Sequence, residues 1–171
     1  MKYATINPIN NELVKEFSLD IYPDLNISQE AFKSWKKLSV KERGVQLKKI
    51  AVLLEKKKNE LSALITLEMG KPLREAEYEL NKTLTAFGYY ITNAPAFLKH
   101  EIVKSNASRS YISFEPLGII FSIMPWNFPF WQVFRFAIPT LISGNVSILK
   151  HAPNVPQCAL AIQQLFDEAG V

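Results

Sequence analysis

Cysteine is nearly absent from this chain. Cys158 is the only one, so no disulfide can close within it, and a secreted disulfide scaffold is excluded. The N-terminus lacks the basic, apolar and small-residue succession of a signal peptide, and together with the lone thiol this gives the expectation of a cytoplasmic protein. His100 and His151 are the only histidines and are far apart, so no metal-ligand spacing exists. No G-x-G-x-x-G is present. An excess of charge is missing too: 20 Lys and Arg against 16 Asp and Glu leave +4. The run Lys56-Lys57-Lys58 lies between Glu55 and Glu60, which marks a solvated helix face and excludes a nucleic-acid patch. From Leu117 to Leu149 the only charge is Arg135. That stretch is no membrane span, because Pro125, Asn127, Pro129, Gln132, Arg135 and Pro139 cut it into pieces too short for a bilayer core of about 30 Å.

What remains is a globular composition, 48% hydrophobic over 171 residues, enough for a core. Tyr3 to Pro8 and Glu12 to Leu19 read as extended segments around the turn signal Asn7-Pro8-Ile9-Asn10-Asn11, an edge hairpin. Ser28 is the expected N-cap of a helix with Ala31, Phe32 and Trp35 on one face. After Ser39, Val45, Leu47, Ile50, Leu53 and Leu54 continue the helical period. A third helix, Asn59 to Glu68, is stopped by Gly70 and Pro72; a fourth, Leu73 to Phe97, carries Leu80, Leu84, Phe87, Tyr90 and Ile91 at helical spacing. After the polar break Ser105 to Ser110, Tyr111 to Phe114 alternate as a half-buried strand does.

The pattern then changes to an apolar run Leu117 to Met124, a helix Phe130 to Ile142, a second apolar run Val146 to Leu149 and an amphipathic helix Val155 to Ala169. Continuous apolar strands alternating with helices are the sequence form of a parallel βαβ unit covered on both faces. The expected fold class is therefore α/β: residues 1–104 a hairpin and helical layer, 105–116 an extended segment, and 117–171 the first βαβα of a parallel sheet.

Between the first apolar run and its helix stands Pro125-Trp126-Asn127-Phe128-Pro129. Two prolines restrict the backbone on either side, so the corner can hold the Asn127 amide in one orientation, as an oxyanion donor requires. The alternative is that Asn127 simply N-caps the following helix. Ligands bind at the carboxyl ends of strands in open parallel sheets, and the periodicity puts Asn127 and Lys150 on the same such edge.

Together with Glu115-Pro116-Leu117-Gly118-Ile119-Ile120, Glu68-Met69-Gly70-Lys71-Pro72 and the block Pro139 to Lys150, this corner resembles the N-terminal part of the aldehyde dehydrogenase superfamily, most of all its succinate-semialdehyde dehydrogenase branch. The resemblance runs over essentially the whole chain. It implies a Rossmann-like sheet and NAD or NADP as cofactor, with Ile123, Met124, Pro125 and Trp126 lining it and Lys150 bonding its adenine-side ribose. It implies that Asn127 stabilises the oxyanion formed when a cysteine attacks the aldehyde. In that branch an arginine at the position of Arg135 contacts the substrate carboxylate. Arg135 shares a helix face with Trp131, and a guanidinium on an otherwise apolar helix is expected to have an anionic partner. NAD-selective members commonly carry a glutamate where Pro153 stands, which leaves NAD against NADP open.

Cys158 lies among Val155, Ala159 and Ile162 and is expected to be a buried, inert thiol rather than the nucleophile. The family's nucleophilic cysteine, general-base glutamate and remaining strands belong to sequence after Val171, so the chain reads as a fragment without the catalytic domain. The partners this implies are an aldehyde substrate and either the missing C-terminal part or a homo-oligomer of the full enzyme. A non-catalytic remnant that docks onto another subunit is the alternative.

Overall fold

A computed structural model describes residues 2–18 and 24–171 of the chain. The N-terminal hairpin forms as expected, with β1 (Lys2–Ile6) antiparallel to β2 (Leu13–Ser18); Leu19, the expected end of β2, lies outside the described residues. Four helices follow: α1 (Leu25–Trp35), α2 (Val40–Lys56), α3 (Lys58–Met69) and α4 (Leu73–Phe97). The first is capped by Asp24, whose carboxylate accepts the Asn26 amide hydrogen, and not by Ser28. Ser28 instead turns its hydroxyl back to the Asp24 carbonyl from within the helix. Ser39 and Glu42 form a reciprocal capping box on α2.

The core face of α2 is Arg43, Leu47, Ile50 and Leu54, whereas Val45 falls on the outer side and is exposed. Leu80 and Phe87 of α4 are buried, with Leu84, Tyr90 and Ile91 partly so. Gly70 ends α3 at φ 75°, a left-handed conformation that glycine adopts without a Cβ penalty.

A two-residue ladder, β3 (Glu101–Ile102) against β4 (Tyr111–Ile112), replaces the half-buried strand expected over Tyr111 to Phe114. All of those side chains are exposed, because no second layer packs on the ladder within the described residues.

The βαβα unit is present: β5 (Ile119–Ile123), α5 (Trp131–Ile142), β6 (Val146–Lys150) and α6 (Pro156–Ala169), with β5 and β6 parallel in register from Ile119↔Val146 to Ile123↔Lys150. Asn145 fastens the start of the pair by accepting the Gly118 amide hydrogen at 3.0 Å. The sheet is not covered on both faces. Phe121 and Ile123 are 61% and 69% exposed and only Ser122 of β5 is buried, since the sheet has just these two strands among the described residues.

The two helices of this unit have no side-chain caps of their own, and the helical layer supplies them. At the α5 N-terminus the Glu79 carboxylate accepts the amide hydrogens of Phe130 and Trp131 at 2.9 and 3.0 Å. At its C-terminus Arg43 Nε and Trp35 Nε1 donate to the carbonyls of Ile142 and Leu141, both at 2.8 Å. Glu68 does for α6 what Glu79 does for α5, accepting the amide hydrogens of Gln157 and Cys158 at 2.9 and 2.7 Å. Each carboxylate meets the positive end of a helix dipole and the Arg43 guanidinium meets a negative end, so the otherwise orphaned backbone groups are satisfied and the signs agree. Gly144, at φ 97°, leaves room for Arg43, whose Nη1 would come within 3.2 Å of an added Cβ. These contacts lock the βαβα unit onto the helical layer through one shared core. No described helix is long and apolar enough to cross a membrane.

Candidate functional site

The parallel pair ends at Ile123↔Lys150, and the Lys150 carbonyl then accepts the Met124 amide hydrogen at 3.0 Å. This bond carries the ladder one residue further and starts the corner beside the end of β6. An open groove of about 580 Å³ results, lined by Ile123, Met124, Pro125, Trp126, Lys150, Ala152, Pro153 and Asn154. All five residues expected to line a cofactor therefore fall in one place, joined by the loop that follows β6. The walls are apolar except for the exposed Lys150 and Asn154, and Pro153 contributes a ring and no acceptor. A smaller hollow of about 430 Å³ at Arg74, Glu75, Glu77, Tyr78 and Asn81 is a dimple on the outer side of α4 and holds none of the expected residues.

Asn127 does not cap α5. The helix begins at Trp131 with Phe130 at the cap position, and the first amides go to Glu79. The Asn127 amide is exposed and makes no hydrogen bond to any described residue, so its donors are free to meet a ligand.

Three contacts hold the corner that presents it. Glu79 grips the backbone after Pro129; its other oxygen is ion-paired with Lys71, both side chains being almost fully buried. Lys71 Nζ in turn lies 3.8 Å from the centre of the Phe128 ring, a cation–π contact on the residue next to Asn127. His151 completes the set, with Nε2 2.9 Å from the Pro129 carbonyl and Nδ1 accepting the Ala152 amide hydrogen at 2.7 Å. Those partners select the neutral ring protonated on Nε2. Burial lowers the His151 pKa below its usual value, outweighing the Pro129 carbonyl and the nearby Glu68 and Glu79 charges that raise it.

In the sequence His151 stands isolated, and Glu79, Glu68 and Lys71 carry no local mark of a site residue. Only the Glu68 to Pro72 block hinted at two of them. Polar residues on helices otherwise read as solvated, and nothing local shows which are buried.

Trp131 and Arg135 share a stripe of α5 that begins beside Asn127, since helical bonding already reaches back to the Phe128 carbonyl. Arg135 is exposed and has no ion-pair partner among the described residues, so the anion expected beside it is no described side chain of this chain. Its apolar neighbours Val133, Phe134, Ala137 and Ile138 face the core instead. Lys82 of α4 lies over Trp131, its Nζ 4.3 Å from the ring centre.

Cys158 is fully buried at the start of α6, and burial, followed by the Glu68 charge, pushes its thiol far above the usual range. The thiolate that a nucleophile requires is thus disfavoured there. His100 stacks on Tyr111 at 4.6 Å, away from the groove residues in sequence and contacts. No group of three or more His, Cys, Asp or Glu among the described residues could hold a metal ion.

The chain is 47% identical to a probable succinate-semialdehyde dehydrogenase [NADP(+)] of Synechocystis sp., over 99% of this chain and 38% of that protein. It is 39% identical to a succinate-semialdehyde dehydrogenase [NADP(+)] of Deinococcus radiodurans, over 99% of this chain and 36% of the relative. Among solved structures, succinic semialdehyde dehydrogenase from Streptococcus pyogenes in complex with NADP+ superposes with a TM-score of 0.90 at 31% identity, covering 99% of this chain and 38% of that one. The chain thus spans somewhat over a third of the length of the proteins it matches. A sequence model of the aldehyde dehydrogenase family matches residues 1–171, and with that match spanning the whole chain, the chain belongs to the aldehyde dehydrogenase family.

Proposed function

We propose that this chain is the N-terminal portion of an NAD(P)-dependent aldehyde dehydrogenase that oxidises succinate semialdehyde to the acid, with residues 117–171 forming part of its cofactor-binding sheet. The observation that carries the proposal is the convergence of the groove residues Ile123 to Trp126 and Lys150 beside a free Asn127 amide at the carboxyl edge of a parallel strand pair. The groove suits a nicotinamide dinucleotide, having apolar walls for flat rings and one cation for a polar ribose edge. When bound, that cofactor supplies the hydride acceptor.

The chain's own residues supply the rest of what is proposed. Ile123, Met124, Pro125 and Trp126 wall the cofactor and keep water from it, and Lys150 holds its ribose. Pro153 offers neither a ribose acceptor nor a charge to repel a 2′-phosphate, so the groove accepts NADP, which the Synechocystis and Deinococcus relatives are named for, as well as NAD. Asn127 donates its amide to the aldehyde oxygen as negative charge develops there, and the rigid corner means no reorganisation is needed at that moment. Arg135 and Trp131 receive the remote carboxylate. The nucleophile comes from the family's later sequence, and the exposed β5 is where that part of the enzyme joins.

The test is reconstitution with the remainder of the Synechocystis relative supplied in trans. Arg135→Leu is expected to lower kcat/KM for succinate semialdehyde by about tenfold or more, the size of ~1.4 kcal/mol of lost charge pairing, while leaving butanal almost unchanged. Equal losses for both substrates would make Arg135 structural and remove the substrate assignment.

A further inference from the structure

One cation lies on the Trp131 indole and a second follows it on the same helix face. Lys82 Nζ sits 4.3 Å from the ring centre, and Arg135 follows one helical turn further along α5. Neither forms an ion pair among the described residues. The positions one turn either side of Lys82 on α4 are Tyr78, Glu79, Thr85 and Ala86, and both Glu79 oxygens are already committed, one to Lys71 and the other to the Phe130 and Trp131 amides. Arg135 is the only charged residue of α5. Lys82, held over an aromatic face and without an ion pair among the described residues, thus stands one helix away from a guanidinium that is likewise unpaired there.

Lengths decide which of the two cations meets a short substrate first. Residues one turn apart on α5 are separated by about 6 Å along the axis, and a four-carbon chain with bonds near 1.5 Å places its carboxylate about 5 Å from its aldehyde carbon. Helical bonding starts at the Phe128 carbonyl, so Trp131 stands one turn closer than Arg135 to the corner that carries Asn127, and a short substrate held at Asn127 meets the Trp131 turn, where Lys82 lies, before that of Arg135.

We propose that Lys82 is a specificity residue, the second cation of a carboxylate clamp formed with Arg135 across the Trp131 ring. This rests on the reading that the substrate carries a carboxylate at Arg135. Lys82 adds the short-range partner, so the clamp prefers a carboxylate a few carbons from the aldehyde over one further away. The ammonium moves off the indole onto the carboxylate, exchanging a cation–π contact for a charged hydrogen bond.

The test titrates succinate into the full chain through the millimolar range and follows the indole N–H signal of Trp131, with Trp35 and Trp126 as internal references and neutral succinamide as control. A succinate-specific shift is expected. Lys82→Gln should weaken the apparent affinity by about two- to fivefold, the effect of one exposed charge, and Lys82→Arg should restore it. Arg135→Leu should weaken it comparably. Lys82→Gln matching the parent while Arg135→Leu loses affinity would overturn the role of Lys82 and leave the carboxylate reading intact. No response in the parent, an equal response to succinamide, or Arg135→Leu matching the parent would overturn the carboxylate reading itself, and Lys82 as its second cation with it. Lys82 is exposed, so its variants are expected to fold as the parent does.

Discussion

Glu79 accepts the backbone amide hydrogen of Phe130 at 2.9 Å from a position 51 residues earlier in the chain. The same carboxylate is ion-paired with Lys71, whose ammonium rests on the Phe128 ring, so one buried pair holds the Phe128 side chain before Pro129 and the backbone after it. Removing the carboxylate leaves the Lys71 charge buried without its partner and two helix amides uncapped. Glu79→Leu is expected to lower unfolding free energy by about 3–5 kcal/mol, the usual loss on breaking one side of a buried pair. Glu79→Gln, which keeps an acceptor for the amides, should lose less. Urea midpoints of the three proteins check this, and an unchanged midpoint for Glu79→Leu would mean that the clamp contributes nothing.

Cys158 should be inert in the folded chain. It is fully buried, and burial and the Glu68 carboxylate both disfavour its thiolate, the form that reacts. Iodoacetamide at neutral pH should label it only after unfolding in urea. The isolated chain should also show no aldehyde oxidation with NAD or NADP; turnover abolished by Cys158→Ser would contradict both expectations.

His151 gives the stability a pH dependence of known sign. Its folded pKa lies below the ordinary value of 6.5. Above that value the ring is neutral in both states and its contribution is fully present. As pH falls below it, the unfolded chain takes up the proton first, so stability declines until pH reaches the folded pKa. His151→Gln should flatten this part of the profile. Urea midpoints measured between mildly acidic and neutral pH would show it, and parallel profiles for parent and variant would assign the acid sensitivity elsewhere.

The exposed face of β5 should make the isolated chain associate with itself. Leu117, Phe121 and Ile123 are large apolar side chains exposed beside a strand with an unpaired edge among the described residues. Size-exclusion elution should shift with concentration, and Phe121→Lys should reduce the shift. A monomer at every concentration would count against this.

Much of the fold was legible because its signals are local. The apolar runs around Pro125 and Pro129, the stop at Gly70-Lys71-Pro72 and the spacing of Leu80 and Phe87 identify β5, α3 and α4 from a few neighbouring residues each. The position of Lys150 beside the corner followed from the βαβ pattern. The supports of the corner were not legible. Glu68 and Glu79 occupy helical positions where a glutamate ordinarily faces water, and only the packing of α5 and α6 onto the helical layer turns them into remote caps. Ser28 and Val45 failed for the converse reason: each fits its local pattern, but Asp24 lies one turn earlier and caps α1, while Arg43 takes the core face that α5 needs for its C-terminus. The openness of β5 was likewise invisible, since an apolar run records what a strand is built to face and not what covers it.

The most direct measurement for the central claim, that this chain carries the oxyanion amide of an aldehyde dehydrogenase, is kcat of the enzyme reconstituted with the remainder of the Synechocystis relative, comparing the parent chain with Asn127→Ala. Because Asn127 is exposed and makes no hydrogen bond to any described residue, the substitution should leave folding untouched. Loss of one such donor is expected to lower kcat about 10²–10³-fold with KM little changed. An unreduced kcat, or a reconstituted pair with no activity at all, would contradict the account.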